Sequence, residues 1–323
     1  MRRFLVALIP MLAAAAVPGV AAARTIEWSG YTWDVRPPGF GTPGPNHWSD
    51  SPANVRTEGS ELVLSIVRDA AGHWTAAEIG NQAHLGYGTY RWVVNSDLRA
   101  LDADEVLGMF TYGGDARSNN EIDFEPSHWG NRAWSSGSAT VWQDPAADRK
   151  RGRTFDYSGP PPYVHEFTWT RGRIHYLVRN GAGATLLDWT VTKGVPTPSS
   201  EVPRINYWRF KGVPPASVRS MRLASFSFKP PAVRVALSPR RFRAARGATL
   251  RFRATKPTKV RLRVTRGGRT VATISRAVST GSGKLRFTGK LAGRRLAPGD
   301  YRLRLAGDGD VRFAPKQLRF TVL

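Results

Sequence analysis

The segment 120–125 reads NEIDFE, which places three carboxylates, Glu121, Asp123 and Glu125, at every second position. In an extended strand successive side chains point to opposite faces, so the three acids share one face and the intervening apolar residues enter the core. Carboxylates this close repel one another, and the repulsion raises their pKa values. A strand selected for packing alone would carry β-branched or aromatic residues there. The spacing indicates chemistry, although a solvated strand face or a calcium site would also produce it.

The elements that position these acids read as β-strands. Short apolar or alternating runs, such as 61–67, 89–94 and 174–178, fill the chain from Trp28 to Phe228 and are separated by Gly, Pro, Asn and Asp. No window shows the long 3.6-residue period of an amphipathic helix. The pattern predicts an all-β domain built as a sandwich of large sheets. All 11 tryptophans lie in this part, and those outside the core suit a carbohydrate site, because a sugar ring stacks on an indole.

The C-terminal part alternates more strictly. From Val233 onward apolar residues alternate with Arg or Lys, as in 249–253, 260–264 and 301–305, and turns containing Gly or Pro recur about every ten residues. This pattern predicts a small antiparallel sandwich of the immunoglobulin-like kind. Both parts of the chain are therefore expected to be all-β.

The charge distribution suggests where these two parts meet. The net charge is +24, and residues 234–323 carry 24 Lys and Arg against three acidic residues, whereas the rest of the chain is nearly balanced. The composition changes at two consecutive prolines, which suit a short linker. We predict a first domain at 24–229, a proline linker at 230–232 and a basic domain at 233–323.

The N-terminus has the pattern of a secretory signal peptide. Arg2 and Arg3 precede an apolar run at 4–17, and the small residues 21–23 resemble a cleavage site. A twin-arginine signal is the alternative. The run is too short and too rich in alanine to span a bilayer stably. We expect residues 1–23 to be removed and the mature protein to be secreted, without a membrane span. The sequence has no cysteine, which excludes disulfides and thiolate metal sites.

The acidic segment and its surroundings resemble glycoside hydrolase family 16, whose signature is Glu-x-Asp-x-Glu. The flanking segments that resemble the family, in the same order, are Gly44 to Trp48, Ala77 to Ile79, Gly86 to Tyr90, Gly108 to Tyr112, Phe167 to Trp169 and Ile205 to Trp208. The resemblance covers about 200 residues, from Trp28 to Phe228. It implies a β-jelly-roll of the concanavalin A-like kind, with the acids on a strand of the concave sheet.

The resemblance also implies a role for each acid. Glu121 would be the nucleophile, Glu125 the general acid/base, and Asp123 a helper that orients Glu121. The chemistry agrees, since a retaining pair needs one protonated and one ionised carboxyl about 5 Å apart, and two long side chains on a curved sheet can lean together. The regular spacing places the chain near the branch that includes lichenases and xyloglucan-acting enzymes.

Further positions match substrate contacts of the family. Asn46, Glu78, Asn206 and Trp208 do so, and Tyr112 stands on the strand that leads to the acids. Trp129 and Trp142 follow the catalytic strand and are candidate sugar platforms. A core or turn role is the simpler alternative for Asn46, Glu78, Asn206 and Trp208, and core packing is the alternative for Trp129 and Trp142.

The chain also departs from the family. Lichenases often have Trp-Asp before the first catalytic Glu, and this chain has Asn119 and Asn120. They have Arg two residues after the early acid, where this chain has Gly80. After Glu125 the chain continues with Pro126 in place of an apolar residue and Gly. The catalytic strand is therefore intact while the sugar-binding positions are altered.

The spacing of the histidines does not match that of a metal site. Six histidines without an i, i+4 pair or clustered carboxylates indicate no catalytic metal, and a two-carboxylate mechanism requires no cofactor. A structural calcium ion on the convex side is common in the family, and the sequence neither indicates nor excludes one.

The sequence thus predicts a secreted, retaining, endo-acting hydrolase of β-glycosidic bonds in a β-glucan-type polysaccharide. Two alternatives are a lectin-like binding module with little hydrolysis and a transglycosylase. For the basic domain we expect a partner such as an anionic wall polymer, which would keep the protein at a wall; a merely solvated arginine face is the alternative. Nucleic acid is disfavoured, because export and the lack of aromatic residues among the arginines argue against it.

Overall fold

The computed structural model describes residues 23–113, 120–144, 149–254, 258–279, 281–287, 290–291, 294–307, 311–314 and 316–323. The predicted signal peptide, apart from residue 23, lies outside this range, as does Asn119. Within the described residues the regular structure consists of β-strands and two short 3₁₀ helices, Leu98–Ala100 and Phe210–Gly212. The chain is all-β, as predicted.

The strands up to residue 229 form one set. They are β1 (Thr25–Trp28), β2 (Tyr31–Val35), β3 (Gly39–Gly41), β4 (Asn46–Trp48), β5 (Val55–Glu58), β6 (Glu61–Arg68), β7 (Trp74–Asn81), β8 (Gly88–Val94), β9 (Glu105–Tyr112), β10 (Ile122–Pro126), β11 (Gly137–Asp144), β12 (Arg149–Phe155), β13 (Tyr163–Thr170), β14 (Arg173–Arg179), β15 (Thr185–Val191), β16 (Val202–Arg209) and β17 (Arg219–Lys229).

These strands pair into two sheets that fold into a jelly roll. One sheet runs β1-β2-β7-β16-β9-β10-β11-β12, and all its pairs are antiparallel. The other runs β5-β6-β17-β8-β13-β14-β15. The β6–β7 pair and the small β3–β4 hairpin join them at one side. We call the first sheet the site sheet, because the three acids lie on it.

The core between the two sheets explains why these sequences form strands. Along β13, buried and half-buried residues alternate over the whole length, which is the period of a strand with one face on a core. Trp33, Trp92 and Trp169 are fully buried, and six of the 11 tryptophans are buried in all. Burial of aromatic side chains of this size makes a large contribution to stability.

The strands after residue 231 form separate sheets around a second core. They are β18 (Ala232–Ser238), β19 (Arg241–Phe242), β20 (Ala248–Ala254), β21 (Thr258–Arg266), β22 (Arg269–Val278), β23 (Gly281–Phe287), β24 (Lys290–Leu291), β25 (Arg294–Arg295), β26 (Gly299–Gly307), β27 (Arg312–Ala314) and β28 (Gln317–Val322). One sheet has the order β23-β20-β18-β27 and the other β19-β28-β26-β21-β22. Most pairs are antiparallel, while β18–β27 and β19–β28 are parallel.

The strict alternation of apolar and polar residues also explains why this second part of the chain forms strands. In β18, β21 and β26 the Val, Leu and Tyr side chains are buried and the residues between them are mostly exposed. The buried ones form a cluster of their own that includes Leu262, Leu303 and Phe320. No helix among the described residues is both long and apolar enough to cross a membrane.

Candidate active site

The strand β10 carries the acids on one face and anchors itself in the core with the other. Ile122 and Phe124 are fully buried, and the ring of Phe124 packs edge-to-face on Tyr176 with 5.2 Å between ring centroids. Glu121 directly precedes the strand, and it lines the same cavity as Asp123 and Glu125. The alternation seen in the sequence therefore brings all three carboxylates to one side of the site sheet.

The cavity has a volume of about 580 Å³ and lies over the centre of the site sheet. In addition to the acids, Glu78, Tyr112, Asn206 and Trp208 line it. These four come from β7, β9 and β16, which are neighbours of β10 or of one another. A concave pocket with several convergent polar groups is the usual form of a small-molecule or substrate site.

Asp123 is the most deeply buried of the three acids. It is 1% exposed, and its Oδ2 accepts a hydrogen bond from Trp142 Nε1 at 3.1 Å. Burial raises its pKa well above the usual value, and the negative charges of Glu125 and Glu121 act in the same direction. Hydrogen bonds from Thr140 and Trp142 act against this rise. Asp123 is therefore more readily protonated than an ordinary aspartate.

Glu121 also has a raised pKa, of about 7, and the cause is burial. Its backbone carbonyl accepts a hydrogen bond from Trp142 N at 3.0 Å. Trp142 thus holds Glu121 through its backbone and Asp123 through its indole. This contact gives Trp142 a positioning role, which differs from the predicted role of sugar platform.

The residue before Glu121 sets the start of the strand. Asn120 has a φ of 47°, in the left-handed region that Asn adopts more readily than most residues. Its amide donates to Thr197 O at 2.8 Å and to Glu201 Oε2 at 3.0 Å, and its carbonyl accepts from Thr111 Oγ1 at 2.8 Å. This buried network fixes the backbone from which Glu121 projects, so Asn120 serves the fold and not a sugar.

Asn206 reaches the cavity beside Glu125. Its Oδ1 accepts a hydrogen bond from Gly108 N at 3.1 Å, across the β9–β16 pair. A Cβ atom added at Gly108 would lie 2.3 Å from that oxygen, so only glycine leaves room for the Asn206 side chain. The Gly-to-Tyr segment of β9 is therefore matched to β16 by shape as well as by register.

Glu78, on β7, lies between two arginines. Its Oε2 accepts from Arg36 Nη1 at 3.0 Å, and its Oε1 accepts from Arg204 Nη1 at 2.8 Å. Arg36 also lies over the ring of Trp48, at 3.9 Å from the centroid, and Arg204 lies 5.8 Å from the ring centroid of Tyr112. Glu78 and both arginines line the cavity. Two guanidinium groups therefore border the space in which a sugar would lie.

Arg204 occupies the space in front of Gly80. The two residues are directly opposed in the β7–β16 pair, and a Cβ atom added at Gly80 would lie 3.6 Å from Arg204 Nη1. The arginine that is missing at position 80 is thus replaced in space by one on the neighbouring strand. Arg204 was not predicted as a site residue, although one signal was present in the sequence: Arg204, Asn206 and Trp208 alternate along β16 and share a face.

Two predicted substrate contacts have other partners. Asn46 is buried and lies outside the residues that line the cavity; its amide donates to Pro43 O and Arg209 O and accepts from Arg209 N. Trp129 packs edge-to-face on Trp208 and Phe210, with centroids 6.1 and 5.5 Å apart, and also lies outside the lining. Both side chains therefore have the turn and packing roles that were the simpler alternatives.

The part of the chain that the structure describes contains no arrangement of side chains typical of a metal site. No group of three or more His, Cys, Asp or Glu side chains there is arranged to hold an ion. The structure does not test whether a calcium ion binds on the convex side, which the sequence neither indicates nor excludes.

Several solved structures are similar to this chain. A β-glucanase of Bacillus licheniformis has 17% sequence identity and a TM-score of 0.48, with 61% of this chain and 91% of that chain covered. A β-1,3-glucanase of Mycobacterium marinum has 20% identity and a TM-score of 0.48, with 61% and 90% covered. A protein of Mycobacterium tuberculosis described as an immunostimulatory antigen and pseudo β-1,3-glucanase has 20% identity and a TM-score of 0.46, with 59% and 88% covered. No protein-family model and no curated protein matches the chain.

Proposed function

We propose that this chain is a retaining, endo-acting glycoside hydrolase that cleaves β-glycosidic bonds in a β-glucan-type polysaccharide. The observation that carries the proposal is the placement of Asp123 and Glu125 on β10, and of Glu121 directly before it, in one cavity of about 580 Å³. The sequence resemblance to glycoside hydrolase family 16 supports the same reaction. An open cavity on a sheet suits a polymer that binds along it, which favours cleavage within a chain.

In the first step Glu125, protonated, gives its proton to the glycosidic oxygen as the bond from that oxygen to the anomeric carbon breaks. The ionised Glu121 attacks the anomeric carbon and forms a glycosyl ester, with inversion. Burial raises the pKa of Asp123, which disfavours a second negative charge beside the nucleophile. Trp142 fixes the position of both acids.

In the second step Glu125, now ionised, takes a proton from a water molecule that attacks the anomeric carbon. The ester bond to Glu121 breaks, Glu121 leaves as a carboxylate and Glu125 is again protonated. Two inversions restore the β-configuration. Asn206, Glu78, Arg204, Tyr112 and Trp208 border the cavity and would hold the sugars on either side of the bond.

The setting of this reaction is also a proposal. The N-terminal pattern supports secretion, and the basic residues 233–323 support retention at an anionic wall polymer. Neither a nucleic acid nor a membrane is part of the proposal. The reaction needs no cofactor.

The test combines a substrate screen with a measurement of the anomeric configuration of the first product. Purified protein is screened for new reducing ends on β-1,3-1,4-glucan, β-1,3-glucan, xyloglucan and agar-type galactan. Proton NMR of a fresh digest of the best substrate should then show the β-anomer first. Glu125→Gln should lower turnover by roughly 10² to 10⁴, the usual contribution of general acid/base catalysis. Glu27→Gln, at an exposed position on β1, is the matched control.

Other results would favour other functions. An initial α-anomer would contradict the double displacement. Binding of a glycan without new reducing ends, unchanged in Glu121→Gln, would favour the lectin-like alternative. Products longer than the substrate would show transfer to a sugar acceptor instead of water.

A further inference from the structure

The outer face of the β19-β28-β26-β21-β22 sheet carries opposed arginines. Arg263 on β21 lies directly across from Arg304 on β26, and Arg302 on β26 lies directly across from Arg319 on β28. All four are exposed, because the residues between them point into the second core. We call these four residues the arginine face.

Like charges directly opposed across two strands destabilise a sheet. Here they are not offset, since none of the four arginines lies within 4.0 Å of a carboxylate oxygen among the residues that the structure describes. Arg304 Nε donates to Gln317 Oε1 at 3.3 Å, and the carboxylate of Asp300, at the end of this face, accepts from Thr321 Oγ1 at 2.6 Å. The arginines of the first part of the chain behave differently: Arg36, Arg204 and others are paired with acids.

A groove runs over the arginine face. It has a volume of about 770 Å³, and all four arginines line it together with Thr265, Thr270 and Thr321. The hydroxyl groups of these threonines can exchange hydrogen bonds with sugar hydroxyls. The lining of this groove also includes Asp300, Tyr301 and Phe320, and the groove on the β23-β20-β18-β27 sheet is smaller, about 380 Å³. The arginine face is therefore the better built of the two basic surfaces.

We propose that the arginine face binds a linear acidic polysaccharide that carries carboxylates along its length. A guanidinium group pairs with a carboxylate through two parallel hydrogen bonds, which a lysine cannot do. Neighbouring strands lie about 4.8 Å apart, a spacing comparable to the length of one pyranose ring, so adjacent arginines can meet the carboxylates of successive sugars. No aromatic side chain among the described residues after 231 is strongly exposed, so nucleic-acid bases would find no stacking platform there. This binding is independent of the reaction at β10.

The test uses the full-length protein and polygalacturonate as the probe. One variant changes all four residues of the arginine face to Gln. The matched control changes Arg234, Arg251, Arg253 and Lys284 to Gln, which removes the same charge from the outer face of the other sheet, where Arg234 opposes Arg253 and Arg251 opposes Lys284. At low salt we expect the first variant to bind polygalacturonate roughly 100-fold more weakly than the wild type, the loss that four exposed ion pairs would give. We expect the control variant to bind less than about tenfold more weakly than the wild type. A third variant, with Lys at the four positions of the arginine face, should be intermediate.

The possible results distinguish binding that depends on the arrangement of the four arginines from binding that depends only on net charge. Equal losses in the two Gln variants would overturn the proposal, because they would show that total charge alone governs binding. Tighter binding of duplex DNA than of polygalacturonate at the same salt concentration would overturn it in favour of nucleic acid. Loss of opposed like charges should leave the Tm of the first variant unchanged or raise it, so weaker binding there is not a folding defect. If that variant fails to fold, the Lys variant decides the matter, since full retention of binding by it would also contradict the proposal.

Discussion

At the scale of single residues, burial controls the protonation of the proposed active site. The sequence suggested that repulsion among three acids raises their pKa values. In the structure burial is the largest cause of the raised pKa of Asp123 and the cause of the raised pKa of Glu121, and neighbouring negative charges add to it at Asp123. Because the three groups interact, their proton losses belong partly to the group as a whole.

The first prediction concerns the pH dependence of the reaction. The nucleophile must be ionised, and the pKa of Glu121 is about 7. We expect kcat/KM to rise about tenfold per pH unit up to about pH 7 and then to level off or fall as the general acid loses its proton. Initial rates on a soluble oligosaccharide between pH 4 and pH 9 would show this. A rising limb centred near pH 4.5 would contradict it.

Asp123→Asn distinguishes the two causes of the raised pKa. If burial sets the pKa of Glu121, the rising limb of this variant stays near pH 7, even though the rate is lower. If repulsion by Asp123 sets it, the limb moves to lower pH. The position of the limb is read from the shape of the profile, so it can be measured in a slow variant.

The second prediction is that Glu121→Gln stabilises the protein at alkaline pH. The folded-state pKa of Glu121, about 7, lies above its ordinary value of 4.5, so the folded state binds more protons between these values and stability falls as pH rises from 4.5 to 7. An uncharged amide removes this loss, at most about 3 kcal/mol for a shift of this size. Thermal unfolding should give a higher Tm than the wild type at pH 8 and no such gain at pH 4. Glu27→Gln serves as control, and an equal gain there would contradict the prediction.

At the scale of strands, the sheet brings together residues that are far apart in sequence. Local alternation predicted the acidic face of β10 because that signal lies within six residues. Arg204 and Glu78 are 126 residues apart and meet through the register of β7 with β16. Nothing local in the sequence specifies a register between strands so distant, so the pair could not be predicted.

The same reason explains why the partners of some aromatic and amide residues were not predicted. A motif gives the residue type and an approximate place, but it does not give the partner of the side chain. The side-chain amide of Asn46 forms hydrogen bonds with the backbone of Arg209, and Trp129 packs on Trp208. Trp142 was a candidate sugar platform, and its indole donates a hydrogen bond to Asp123.

The third prediction exchanges the two opposed residues of β7 and β16. Arg204→Gly should raise KM, since it removes one partner of Glu78 and one guanidinium group from the cavity. Gly80→Arg alone crowds two like charges into one place and should also impair binding. The double variant again has a single arginine in the space between the two positions. Gly80 does not have a positive φ, so its backbone conformation is compatible with an arginine. We expect the double variant to recover most of the lost kcat/KM.

A double-mutant cycle measures this exchange. The coupling between contacting sites is typically about 0.5 to 3 kcal/mol, whereas independent sites add. Additive losses in the double variant would contradict the interpretation that Arg204 replaces an arginine at position 80. Melting temperatures of all four proteins separate a change in binding from a change in folding.

At the scale of the whole molecule, the proposed catalytic acids and most of the net positive charge lie in different parts of the chain. The three acids and all the residues around the cavity precede residue 230. The buried residues of the first and second cores form separate clusters that share no residue. Strand β17 ends at Lys229 and β18 begins at Ala232, on either side of the prolines. The division of residues 233–323 as a separate domain is therefore a prediction that can be tested directly.

The last prediction is that a chain truncated after Lys229 folds and keeps its turnover on soluble oligosaccharides. It retains β17 in full, together with the β8 and β6 partners of that strand, so the first core loses none of its strands. It should lose retention on immobilised polygalacturonate, because residues 234–323 carry a net charge of +21, while the full-length protein should be released from that polymer as salt screens the attraction. Turnover, Tm and the salt concentration at elution are measured for both proteins. Equal retention of the two would show that the basic part does not attach the protein to acidic polymers. An insoluble or inactive truncated chain would show that the second part supports the first structurally, and the domain boundary would then have to be abandoned.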